Sequence, residues 1–157
     1  MKQPDKYAVV GNPIAHSKSP EIHRLFAQQT HQSISYERLE APLDGFEEFA
    51  LGLREAGYRG LNVTIPFKLD AAKLADRLTP RARLAGAVNT LKFDGDAITG
   101  DNTDGIGFVR DVTDRLKFGF GDCAVLVLGA GGAVRGLLGS LLDASPRWLA
   151  VANRSHQ

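Results

Sequence analysis

Ala124-Val-Leu-Val-Leu-Gly129-Ala-Gly-Gly-Ala-Val-Arg-Gly136 is a short apolar run that stops at glycines and resumes at helical spacing. Five residues from Ala124 to Leu128 fit a strand, and the apolar stripe Leu137, Leu138, Leu141 and Leu142, read as core facing the sheet, fits a helix over Ala133 to Leu142. Trp148 to Ala152 reads as a second strand, so the segment is a strand-helix-strand unit. Gly129 permits the tight turn, and Gly131 lets the backbone approach a pyrophosphate. The amides at the helix start add donors and partial positive charge. Val134 stands where the G-x-G-x-x-G pattern wants a small residue, so the fingerprint is broken. A loop of this kind also serves plain helix-strand packing, and both readings stand on these residues alone.

Upstream, strands and helices alternate in the same way. Tyr7 to Val10, Ser35 to Leu39 and Leu61 to Ile65 read as strands. Ser19-Pro20-Glu21 reads as an N-cap, a first-turn proline and a first-turn acid, with Ile22, Leu25 and Phe26 on one helical face. Asp44 is placed to cap a helix whose apolar face is Phe46, Phe49, Ala50 and Leu53. A helix is expected from Leu69 to Leu78, and Thr79-Pro80 starts another. Ala87 to Phe93 and Ala97 to Thr99 flank a hairpin turn at Asp94-Gly95-Asp96. Asp104 to Leu116 has helical spacing, with Ile106, Val109, Val112 and Leu116 as its buried face. The expectation is an α/β fold: a mostly parallel sheet over residues 1–117 with a linker helix, then the first βαβ part of a Rossmann-like domain over 118–157.

Composition narrows the function class. The 157 residues are 43% hydrophobic and 24% charged, with a net charge of +1 and scattered basic residues, which gives no footprint for nucleic acid. No apolar run approaches the ~18 residues of a membrane span, and Met1 to Val10 has no signal-peptide core. Cys123 is the single cysteine, so an intrachain disulfide and a cysteine zinc cluster are excluded. It is read as packing at the start of a core strand. His16, His23, His31 and His156 do not converge with acids, and no metal is assigned. The cytoplasm is the default location, and a monomer or homodimer the expected assembly.

Three polar stretches fall at predicted strand ends: Ser17-Lys18-Ser19, Asn62-Val-Thr-Ile-Pro-Phe-Lys68 and Asp101-Asn-Thr-Asp104, with Asn89 just before the last. Ligands of open parallel sheets sit beyond the carboxyl ends of strands. Hydroxyls and amides gathered there suit a small polyhydroxylated acid, because each ligand hydroxyl needs a donor and an acceptor. Ser19 and Asp104 serve equally well as helix caps, and Asn62 and Asn89 as turn residues. Past the last strand, Asn153 and Arg154 stand about 20 residues beyond the glycine loop, where an adenosine ribose is tested. A guanidinium there suits the 2′-phosphate of NADP.

Gly11-Asn-Pro-Ile-Ala-His-Ser-Lys-Ser-Pro20, Asn62-Val-Thr-Ile-Pro-Phe-Lys68, Gly86-Ala-Val-Asn-Thr90, Gly100-Asp-Asn-Thr-Asp-Gly105 and Gly129-Ala-Gly-Gly-Ala133 resemble, in order and spacing, the motifs of shikimate dehydrogenases. The resemblance runs from about Tyr7 to Ser155. It implies reversible NADPH-dependent reduction of 3-dehydroshikimate to shikimate in aromatic amino-acid biosynthesis. It further implies that Ser17, Ser19, Asn62, Thr64 and Asn89 hold the substrate, with Lys68 and Asp104 as the catalytic pair. Gly129, Ala130, Gly131, Gly132, Ala133, Asn153, Arg154 and Ser155 would bind NADP. Chemistry agrees with that division, since hydride delivery to a ketone builds negative charge on oxygen that an ammonium can stabilise and protonate.

Val134 departs from the smaller residue usual in that family. The family's later strands, nicotinamide pocket, substrate-binding glutamine and closing helix have no counterpart before Gln157. The chain by itself is therefore expected to be inactive. The alternatives are a shikimate-binding fragment without turnover and a quinate/shikimate relative using NAD, the second disfavoured by Arg154.

Overall fold

The computed structural model describes residues 3–154. Its elements run β1 (Asp5–Gly11), α1 (Ser19–Gln29), β2 (Ile34–Glu40), α2 (Phe46–Glu55), β3 (Tyr58–Val63), α3 (Lys68–Leu74), β4 (Arg77–Leu78) and α4 (Pro80–Ala85). They continue β5 (Thr90–Asp94), β6 (Ala97–Asp101), α5 (Asp104–Arg110), β7 (Ala124–Leu128), α6 (Gly132–Asp143) and β8 (Trp148–Ala152). The first six strands form one sheet in the order β2-β1-β3-β5-β6-β4, and β7 pairs with β8 in a second. β1 is parallel to both β2 and β3, β4 to β6, and β7 to β8. Only β5 runs against its neighbours, as the Asp94-Gly95-Asp96 hairpin requires. The α/β architecture with mostly parallel pairing is as expected.

Strand periodicity divides the large sheet into two unlike faces. Ala8, Val10, Leu61, Val63, Leu91, Phe93 and Ile98 point to one side and join Phe46, Ala50, Phe67 and Ala71 of the helical layer in the core. Phe46 and Phe67 stack with centroids 5.0 Å apart, which locks α2 to the turn before α3. On the opposite face, register sets Tyr36 beside Tyr7, Tyr7 beside Gly60, Val9 beside Asn62, and Asn62 beside Thr90. That face is polar towards its centre.

Several local expectations differ from the structure. Ser19 lies inside α1 rather than capping it, because Lys18 occupies the cap position and the Ser17 hydroxyl instead accepts from the Ser19 amide at 3.3 Å. Gly45 in a left-handed conformation, not Asp44, starts α2. The helix expected from Leu69 to Leu78 stops at Leu74, since Arg77 and Leu78 pair with Thr99 and Gly100 of β6. Thr79 does cap α4, accepting from the Ala82 amide at 3.3 Å.

The linker helix changes from α5 into a π turn over Asp111–Arg115 and ends at Lys117 with a φ of 55°. Leu116 and Leu142, read as core, are exposed, as are Ile22, Leu25 and Phe26, and β7, read as a core strand, leaves Leu126 and Leu128 exposed because it lies in a two-stranded sheet with β8. No residue of α1 is buried, because the helix rests mainly on the edge strand β2 and turns His23 inward onto Tyr36. Among the described residues, no helix is long and apolar enough to cross a membrane.

α6 packs on α5 and α4. A methyl on Gly105 would lie 2.5 Å from the Gly136 carbonyl oxygen, so these two helices cross nearly backbone to backbone. The glycine-rich helix is thereby held against the helix that begins at Asp104.

Phe67 is 1% exposed and shared between two layers. Phe67→Ala should cost about 3–5 kcal/mol in chemical denaturation, against less than ~1 kcal/mol for Leu84→Ala, whose side chain is largely in water. Equal costs at the two positions would contradict this account of the core.

Candidate active site

β1, β3 and β6 each feed a polar loop. After β1, the chain turns at Gly11, where space is short: a methyl there would lie 2.6 Å from the Thr64 γ-methyl and 3.1 Å from the Ile65 carbonyl oxygen. Gly11 thus lets the loop carrying Ser17 and Ser19 lie against the loop carrying Thr64 and Lys68. Ser17 Oγ donates to Ser19 Oγ at 3.1 Å. Arg38 of β2 holds this pair from behind, donating from Nε to the Ser17 carbonyl at 2.7 Å and from Nη2 to Glu21 at 2.5 Å.

Lys68 begins α3, and its carbonyl accepts the Val88 amide at 2.8 Å, which ties α3 to the segment before β5. Its Nζ donates to Asp104 Oδ2 at 2.5 Å, with side chains 15% and 25% exposed. Asp104 Oδ1 accepts from Asn89 Nδ2 at 2.8 Å. Asp104 sits in the first turn of α5 without capping it, so its carboxylate is committed to Lys68 and Asn89. The capping alternative for Asp104 does not hold.

The loop from Asp101 to Asp104 uses every one of its side chains. Asp101 binds Arg81 through two hydrogen bonds of 2.7 and 2.5 Å and accepts from the Thr79 hydroxyl at 2.6 Å. Asn102, 2% exposed, donates to the Ala87 carbonyl at 3.0 Å and accepts the Asp104 amide at 3.1 Å. The Thr103 hydroxyl accepts from Asn89 Nδ2 at 3.0 Å. A carboxylate aimed by so many fixed partners is preorganised for binding.

Asn62 and Thr90 face each other across β3 and β5, with Nδ2 of Asn62 donating to Thr90 Oγ1 at 3.3 Å. Tyr36 donates to Asn62 Oδ1 at 2.6 Å and stacks on His23 at 4.0 Å. A cavity of about 350 Å³ opens over this polar sheet face, lined by His23, Tyr36, Asn62, Thr90 and Lys92 among others. A larger trough of about 680 Å³ lies between α1 and β2, lined by Arg24, Gln28 and His31. Lys68 and Asp104 line neither concavity. Asn62 and Thr90 in the wall of the smaller one connect it to the pair through Asn89.

The glycine turn follows β7. Gly129 has a φ of 108°, which favours glycine, and its amide donates to the Ala152 carbonyl at 2.7 Å, placing the turn beside the end of β8. Nothing lies within 4 Å of a methyl built on Gly131, and α6 starts at Gly132 without a side-chain cap. The backbone amides of Gly132 and Ala133 thus open an uncapped 12-residue helix, a donor set suited to an anionic diphosphate. A methyl on Gly132 would sit 3.6 Å from Lys68 Cβ, so the turn borders the lysine. Ala130, Asn153 and Arg154 are exposed near the end of β8, and Ser155 lies outside the described residues.

The structure therefore brings Lys68, Asp104 and Asn89 into direct contact, joins Asn62 to them through Thr90, and sets Ser17 and Ser19 on the next loop. Tyr36, Thr90, Thr103, Arg38 and Asp101 were not singled out from sequence as site residues. Period two along β2 was the available signal, since it puts Tyr36 and Arg38 on one face. Cys123 is half-buried ahead of β7, and its thiol donates to the Gly119 carbonyl at 3.4 Å. Among the described residues, no group of three or more His, Cys, Asp or Glu could hold a metal ion.

Residues 9–91 match the family described as the shikimate dehydrogenase substrate binding domain. The chain belongs to the shikimate dehydrogenase family. It is 58% identical over 151 residues to the shikimate dehydrogenase (NADP(+)) of Methylobacillus flagellatus, covering 96% of this chain and 56% of that protein. The corresponding enzyme of Aromatoleum aromaticum is also 58% identical, over 96% of this chain and 54% of its own length. The chain thus spans about half the length of the curated relatives it matches.

Among solved structures, the Thermus thermophilus shikimate 5-dehydrogenase in complex with NADP(H) and shikimate superposes with a TM-score of 0.87 at 35% identity, over 96% of this chain and 56% of that one. The Aquifex aeolicus shikimate dehydrogenase gives 0.90 at 31% identity, over 97% and 56%.

Arg81 holds the Asp101 carboxyl well below its usual 3.8, at about 2, against the opposing effect of burial and with help from Thr79 and the Asn102 amide. The folded-state value is the lower one, so this interaction stabilises the fold above pH 3.8 and is lost as pH falls through about 2. Arg81→Ala should flatten the acid limb of the stability profile between those values and cost about 1 kcal/mol near neutral pH. Denaturant titrations across the acid range measure this, and superimposable profiles would contradict it.

Proposed function

We propose that this chain carries the substrate-binding and catalytic groups of an NADP-dependent shikimate dehydrogenase, which reduces 3-dehydroshikimate reversibly to shikimate. The observation that carries the reading is the Lys68–Asp104 contact, 2.5 Å between groups 36 positions apart, in a family match over residues 9–91. The proposed division is a substrate-binding domain over residues 1–117 and the opening βαβ unit of a dinucleotide domain over 118–157.

Lys68 is the proton donor. As the substrate carbonyl accepts an electron pair from hydride, negative charge grows on its oxygen; the ammonium stabilises that charge and then transfers a proton to it. In the oxidative direction the neutral amine removes the proton from the hydroxyl. Asp104 keeps the lysine in place and accepts a hydrogen bond from a neighbouring ring hydroxyl. Ser17 and Ser19 receive the ring carboxylate, while Asn62, Thr64 and Asn89 contact the remaining hydroxyls. Both amide hydrogens of Asn89 are engaged within the protein, by Thr103 and Asp104, so a ligand hydroxyl reaches Asn89 by replacing Thr103.

NADPH, when bound, supplies the hydride. Gly129, Ala130, Gly131, Gly132 and Ala133 would hold its diphosphate through backbone amides. Asn153, Arg154 and Ser155 would take the adenosine 2′-phosphate, with the Arg154 guanidinium favouring NADP over NAD.

Because the chain spans 56% of its Methylobacillus relative, shikimate binding without turnover is the second reading, for this chain alone. Calorimetric titration of the 157-residue chain with shikimate tests the binding function. NADP⁺ reduction by a chimaera that adds the relative's remaining C-terminal segment tests turnover. Shikimate should bind the chain, and turnover should require the chimaera. Lys68→Ala in the chimaera should lower kcat by about 10²–10⁴-fold with circular dichroism unchanged. Turnover near the parent level in Lys68→Ala would remove the proton-donor role, and quinate with NAD⁺ outperforming shikimate with NADP⁺ would move the specificity.

A further inference from the structure

The polar groups from Tyr36 to the Lys68–Asp104 pair form one hydrogen-bond chain, and its direction is forced from one end. The Thr103 backbone N–H can only donate, and it points at Asn89 Oδ1 from 3.1 Å. Asn89 Nδ2 therefore faces the Asp104 carboxylate, which can only accept. Thr90 lies 2.9 Å from Asn89 Oδ1 and must spend its single hydroxyl hydrogen there. Thr90 can then only accept from Asn62, which turns Nδ2 of Asn62 towards Thr90 and leaves its Oδ1 facing Tyr36. Tyr36 must in turn donate, at 2.6 Å.

Burial pushes the Tyr36 phenol above its ordinary range, with a hydrogen bond from Ser19 acting the other way, so it remains a protonated donor throughout the neutral range. Donors thus point the same way from Tyr36 on β2, through Asn62, Thr90 and Asn89, to the carboxylate that holds the lysine.

We infer that Tyr36 and Thr90 are positioning residues of the active site, fixing the amide orientations of Asn62 and Asn89 and through them the carboxylate of Asp104. The inference rests on the proposed shikimate site for its bearing on activity, but the coupling itself is a property of the free protein. Tyr36 is held for the task by the His23 ring, stacked at 4.0 Å with 12° between planes. Thr90 is held by cross-strand register opposite Asn62 and Asp101. With its amide turned this way, Asn62 keeps one N–H free of the chain for a ligand oxygen, whereas the flipped amide would present a carbonyl there.

The test uses Tyr36→Phe and Thr90→Val, each removing a hydroxyl at nearly constant volume, with the side-chain amide ¹H–¹⁵N signals of Asn62 and Asn89 as the readout in the ligand-free chain. Tyr36→Phe should move both sets of signals, although of the two amides Tyr36 bonds only that of Asn62. Thr90→Val should move both as well, and the thermal midpoint should change little in either variant. Shikimate affinity should fall roughly five- to tenfold in each.

Asn89 signals unmoved in both variants overturn the coupling, and unchanged shikimate affinity in both overturns its bearing on the site. If Tyr36→Phe does not fold, Thr90→Val alone decides. A parent chain that binds no shikimate would strike the proposed function instead, and the amide signals would still decide the coupling.

Discussion

A lysine and an aspartate from different loops meet with little water around them, and the rest of the site is arranged to keep them there. Partial burial penalises both charges, so the contact stabilises the fold only if its geometry is held and its remaining valences are filled. Asp104 has its second oxygen filled by Asn89, Asn89 is filled by Thr103 and Thr90, and Asn102 fixes the backbone from which Asp104 projects. Removing one partner leaves the other charge half-buried and alone. The same property makes the pair useful chemically, because an ammonium poised in a partly dry site is a stronger electrostatic partner for a developing oxyanion than one in water.

The sheet supplies the precision. Parallel pairing of β1 with β2 and β3 delivers three loops to one end, and the antiparallel β5 brings Asn89 back to that same end. One face of the sheet is closed by α2 and α3 around Phe46 and Phe67, so the strands cannot slip by a residue without turning core side chains into water. That register sets Asn62 opposite Thr90 on the other face, with Tyr36 on the same face one row away. Core packing and site geometry are two consequences of the same two-residue period. The second unit joins through helices: α6 lies against α5 at Gly105, which brings an uncapped helix start beside Lys68.

Much of this was legible in the sequence. Alternation of strand and helix signals established the α/β class, and Gly129 to Ala133 between an apolar run and a helical stripe marked the turn where it is found. Lys68, Asp104 and Asn89 were pointed to by motif order, and the structure puts them in contact. The cap assignments at Ser19 and Asp44 failed because loop hydrogen bonds and a left-handed glycine, neither visible in residue type, set those helix starts. The exposed apolar face of α1 followed from a helix docked on an edge strand, which spacing alone cannot reveal. Tyr36 was hidden for a related reason. A tyrosine in a strand is ordinary, and only cross-strand register turns it towards Asn62.

The central claim is that Lys68 and Asp104 act as one coupled unit. A double-mutant cycle with Lys68→Met and Asp104→Asn, read by unfolding free energy in the 157-residue chain, measures that coupling without ligand or cofactor. The account predicts a coupling of about 0.5–3 kcal/mol, with the double variant less destabilised than the two single losses added together. Single-variant effects that simply add, within ~0.3–0.5 kcal/mol, would contradict it.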